Sequence, residues 1–116
     1  MNGQFSELAE LLEHDPDKVL RVIEAFHRSA SKDLNRLEQA ADACEWQIVR
    51  GMAHRLHVSF LHVGARDAAA AAAMLASVPG ELFVEIYHRR RPIIAESLDR
   101  AEEFLGRATL KDTRDR

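Results

Sequence analysis

One of the six histidines in the chain, His54, stands where an imidazole could act as a nucleophile toward a partner. It lies in the run from Ala53 to Ala65, A-H-R-L-H-V-S-F-L-H-V-G-A. Val49, Met52, Ala53, Leu56, Phe60 and Val63 recur at helical spacing and gather on one face. With 3.6 residues per turn, His54 falls roughly 140° from the centre of that face. Gln47, Arg50, Gly51, Val58 and Leu61 share its side. Imidazole, with a reference pKa of about 6.5, is largely neutral near pH 7 and keeps a lone pair on one ring nitrogen. Such a nitrogen can take up a phosphoryl group and release it again, because the N–P bond is labile. Apolar Val58 and Leu61 beside it, on a face expected to meet water, point to a docking partner.

These residues resemble the signature of the histidine phosphotransfer (HPt) domains of multistep phosphorelays and hybrid sensor histidine kinases. Ala53, His54, Leu56, Ser59, Gly64 and Ala65 match it. Two positions depart: His57 stands where the family usually has lysine, and Val58 where it usually has glycine. The helical pattern from about Asp15 to Arg107 also fits the family layout. The resemblance implies that His54 is the phospho-accepting residue. It implies a partner-binding face made of Gln47, Arg50, Gly51, Arg55, His57, Val58 and Leu61. Arg50, one turn before His54, is expected to offset phosphate charge. The partner would be the receiver domain of a response regulator or hybrid kinase, which brings the phosphorylated aspartate and Mg²⁺. The chain itself would need no cofactor and hold no metal, and would serve as a phosphohistidine carrier rather than an independent enzyme. The two departures define the alternative, a degenerate docking or adaptor module that binds a receiver without phosphotransfer. A lysine carries a full charge at pH 7 where histidine carries a fraction, and valine adds volume where glycine would let a partner loop approach.

Other chemistry finds less support. Neither phosphate-loop pattern, G-x-x-x-x-G-K-[ST] or G-x-G-x-x-G, occurs. No carboxylate cluster beside His54 suggests a Mg²⁺ site. His54, His57 and His62 could share a helical edge as metal ligands, but zinc asks for further ligands, and no C-x-x-C or H-E-x-x-H accompanies them. A purely structural helical adaptor is a third reading, in which His54 is dispensable. Cys44, the single cysteine, excludes an internal disulfide and reads as a buried thiol.

These residues need a scaffold, and the rest of the chain reads as helices. With 116 residues there is room for one domain and one core. A hydrophobic share of 47%, only 5 Gly and 3 Pro, and no alternating β-branched runs argue for an all-α fold. The net charge of −3 gives no reason to expect nucleic acid. No membrane span or signal sequence is evident, so a cytoplasmic monomer is expected. Phe5, Leu8, Leu11 and Leu12 mark a short helix, about 5–14, with Ser6 as its cap. Asp15-Pro16 is a strong helix start, followed by an apolar stripe from Val19 to Ala41. Asp42 and Glu45 resemble a capping box for the helix that carries His54, with Trp46 anchoring its start. Gly64 predicts a break. The six alanines Ala68 to Ala73 favour helix and allow close helix approach. Val78-Pro79-Gly80-Glu81 predicts a tight connection. Pro92 predicts a kink in the last helix. His88 to Arg91 reads as a solvated basic run, and Lys111 to Arg116 as a frayed tail. The expected architecture is an antiparallel four-helix bundle (helices about 16–41, 43–63, 65–78 and 80–106, tail 108–116) with a short N-terminal covering helix.

Overall fold

Apolar residues at helical spacing organise the chain from end to end, and every regular element is an α-helix. The computed structural model describes residues 5–114, with the side chains at 6, 7, 11 and 109–114 outside that description. The helices are α1 (Ser6–Leu11), α2 (Pro16–Asp42), α3 (Trp46–His62), α4 (Arg66–Ser77) and α5 (Gly80–Arg114). Ser6 is the first residue of α1 rather than its cap, because Phe5 takes the N-cap position; the packing of Leu11 falls outside the described residues, as do 115–116 of the expected tail. No strand occurs among the described residues.

Asp15 starts α2 as its residue type predicts: Oδ1 accepts from the N–H groups of Asp17 and Lys18 at 3.1 and 3.3 Å. Pro16, which has no N–H to satisfy, takes the first helical position. Three helices then end in the same way. The chain turns through one or two residues in the left-handed region, and two backbone N–H groups reach back to the last turn. At the end of α3 the left-handed residue is Gly64. There, Gly64 N–H donates to Leu61 and Ala65 N–H to Phe60. At the end of α2 it is Cys44, with Cys44 N–H donating to Ala41 and Glu45 N–H to Ala40. At the end of α1 it is Glu13, followed by His14, also at positive φ. Its closing bonds run from Glu13 to Glu10 and from His14 to Ala9.

This closure corrects the expected capping box. Asp42 is the last residue of α2, and Glu45 precedes α3 without a side-chain cap bond. It also corrects Cys44, which is exposed because it sits at the outside of that turn.

Packing closes a ring: α2 on α3, α3 on α4, α4 on α5, and α5 back on α2, with α1 against α2. Phe5 at the head of α1 meets Phe104 of α5 edge-on at 5.9 Å between centroids. Ile23, Leu37, Val49, Leu56, Phe60, Val63, Leu75 and Ile94 are the largest fully buried side chains among the described residues. Phe26 and Phe60 cross edge-to-face at 5.5 Å between α2 and α3. Ala68, Ala69, Ala71 and Ala72 of α4 are buried, which brings its backbone close to its neighbours. Trp46 packs on Phe83 at 5.4 Å and closes over Gly80, where an added Cβ would stand 2.7 Å from the indole.

The last helix departs from expectation at its end. α5 runs unbroken for 35 residues to Arg114, well past the expected stop near 106. At ~1.5 Å per residue it accounts for the 52 Å long axis of the molecule. Pro92 lies inside this helix. Both Pro92 and His88, whose carbonyl loses its helical donor, are exposed, so water can satisfy that oxygen. The basic run before it is dispersed around the helix: Arg89 pairs with Glu85, and Arg91 reaches across to Glu38. Among the described residues, no helix is long and apolar enough to cross a membrane.

Candidate functional site

The site is built on α3, whose inner stripe clamps it. Val49, Ala53, Leu56 and Phe60 are buried against α2 and α4, so the helix cannot roll. His54 therefore projects from a fixed mid-helix position and is exposed. Gln47, Arg50 and Gly51 are exposed on the preceding turns. A Cβ added at Gly51 would meet nothing within 4 Å, so the glycine leaves open space beside the histidine. Val58 is 36% exposed and Leu61 50% exposed, large apolar groups left uncovered after the core is filled. The N-terminal helix α1 lies on α2, at the Phe104 side of α5.

His57 and Arg55 behave differently from the rest of the expected face. His57 is half-buried, and its Nδ1 lies 3.0 Å from the carbonyl oxygen of Ala69 on α4. A carbonyl only accepts, so Nδ1 carries the proton and the ring is tethered sideways to α4. Its centroid is 6.2 Å from that of His54. Arg55 turns toward α2, where its Nε–H donates to Asp33 Oδ2 at 3.2 Å. Asp33 is nearly buried, its side chain 8% exposed, while that of Arg55 is 60% exposed. Asp33, His54, Arg55, Val58 and Ser59 together line an open depression of about 270 Å³.

Asp33 belongs to the site without standing in the α3 stretch that carries His54. Its signal was present: it lies three residues after Ala30 and four before Leu37, inside the buried stripe of α2. An acid in that position must find a cation, and Arg55 is the one it finds.

Elsewhere, a second polar cluster ties α2 to α5. Tyr87 Oη–H donates to Glu38 Oε2 at 2.6 Å, and Arg91 Nε–H donates to the same oxygen at 3.1 Å. Burial, and then the bond to Glu38, push the Tyr87 hydroxyl well above the ordinary phenol range. The bond to Glu38 likewise raises Arg91. Neither residue lines the depression around His54. Among the described residues, no group of three or more His, Cys, Asp or Glu side chains comes together as a metal site.

No family model, curated protein or solved structure matches the chain.

Proposed function

We propose that the chain is a histidine phosphotransfer domain in which His54 carries the phosphoryl group between receiver-domain aspartates. The observation that carries this reading is the arrangement on α3. The exposed imidazole of His54 sits in the middle of a clamped helix, with apolar Val58 and Leu61 and an open Gly51 around it. The ring of contacts among α2 to α5 supports the finer architecture, an antiparallel four-helix bundle with α1 as a cover.

In the transfer, a neutral ring nitrogen of His54 attacks phosphorus in line. The N–P bond forms, the P–O bond to the donor aspartate breaks, and its electron pair leaves as carboxylate. Return of the group to a second aspartate reverses the step. The chemistry needs positioning and charge neutralisation more than covalent assistance. The partner receiver is to supply the acidic pocket and Mg²⁺, so the domain works as a monomeric, cytoplasmic relay component.

The test is incubation with phosphorylated receivers and Mg²⁺, following acid-labile, base-stable label. Label on the wild type and none on His54→Gln is the expected result. Failure of every receiver to label a folded domain would overturn the reading. Val58 favours one second reading: a methyl-bearing side chain on the face of His54, one turn on, narrows the approach of a receiver. A module that docks without transfer would bind receivers yet stay unlabelled, and Val58→Gly would then restore label.

A further inference from the structure

Arg50 and Arg55 flank His54, but they are held differently. Arg50 is exposed and does not line the depression that contains His54. Arg55 does line it, and the buried Asp33 carboxylate engages its Nε edge. That leaves the four Nη hydrogens of the guanidinium without a partner among the described residues. The Ser59 hydroxyl, also in the depression, has no partner among the described residues either. Burying a carboxylate is costly, and an apolar residue at position 33 would serve the core as well or better. What Asp33 adds is geometry: it is fixed by α2 and engages the Nε edge of Arg55, which holds the guanidinium at the wall of the depression that contains His54. A guanidinium offers paired N–H donors that match phosphoryl oxygens.

Resting on the relay reading of His54, we propose that Arg55, positioned by Asp33, is the cation that holds the phosphoryl group of phospho-His54, with Ser59 as a further donor. Arg50 is then peripheral to the phosphoryl group. Asp33 touches no reacting atom and is a positioning residue.

The experiment separates this cradle from the relay. Phosphoramidate loads His54 chemically: a ring nitrogen forms the new N–P bond, and the N–P bond of the reagent breaks with loss of ammonia. The second ionisation of the phosphoryl group is then followed by ³¹P NMR against pH. A cation in contact favours the dianion, so Arg55→Gln is expected to raise the midpoint by ~0.5 unit or more. Arg50→Gln leaves the midpoint in place, and Asp33→Asn, checked for folding by circular dichroism, gives an intermediate rise. Equal midpoints in wild type and Arg55→Gln overturn the cradle whatever the receivers do, as does failure of His54 to load while other histidines do. Chemical loading without transfer from any receiver overturns the relay and leaves the cradle to be judged by its midpoints.

Discussion

Val49, Ala53, Leu56 and Phe60 of α3 are at most 1% exposed, whereas Val58 and Leu61 of the same helix are 36% and 50% exposed. The inner stripe is complementary to α2 and α4 and finds its partners within the chain. The outer face carries the imidazole of His54, a glycine with open space and two apolar groups, and is left exposed among the described residues. A helix of 17 residues thus serves as both wall and platform. The rigidity of the platform comes from the wall, because turning His54 in or out would require unpacking Leu56 and Phe60.

Substitutions on the two faces can break this contrast. Leu56→Ala should be the most damaging to stability, about 2–5 kcal/mol in denaturant unfolding, because a fully buried leucine leaves a cavity. A cost near zero would mean that α3 is not clamped.

The Tyr87–Glu38–Arg91 cluster, away from the depression, should affect folding and not transfer. Its phenol is raised in the folded state and titrates near pH 10 when unfolded. Stability is therefore intact below about pH 10 and falls as pH rises above it, by at most about 1.4 kcal/mol per pH unit. Tyr87→Phe should remove that portion of the alkaline loss in thermal melts while leaving label on His54 unchanged.

Gly51→Ala should stabilise the free domain by about 1 kcal/mol, since alanine favours helix and its methyl meets nothing within 4 Å. If the outer face docks a receiver, the same change should weaken receiver binding; a stabilised domain with undiminished binding would remove Gly51 from the interface. Leu61→Ala should move stability least, within about 0.5 kcal/mol, yet lower receiver affinity several-fold. A loss of stability comparable to that of Leu56→Ala would erase the distinction between the faces.

Much of the helical pattern, and the outward placement of His54, could be read from local order. Apolar residues at three and four spacings give a helix and its buried face without reference to any other element. Asp15-Pro16 and Gly64 act through their own backbone chemistry. The other two left-handed turns were illegible, because Glu13 and Cys44 have no intrinsic preference for positive φ and are held there by the helix ends they close. The same closure made Asp42 the last residue of α2, and left Glu45 before α3 without a side-chain cap bond. The α5 helix outran its expected end, and Pro92 is accommodated on an exposed face, where water can reach the freed carbonyl.

The site divides in the same way. Residue types and spacing along α3 suffice to put His54, Gln47, Arg50, Gly51, Val58 and Leu61 on one side, because a single helix sets those relations. Arg55 and His57 belong to the same stretch, yet their partners are Asp33, 22 residues earlier, and the Ala69 carbonyl, 12 residues later. Those pairings exist only because α2 and α4 are packed against α3 at a particular height and rotation. Periodicity along one chain segment carries no information about the register between segments. Packing of the side chains between helices sets that register, and with it which cation stands beside the histidine.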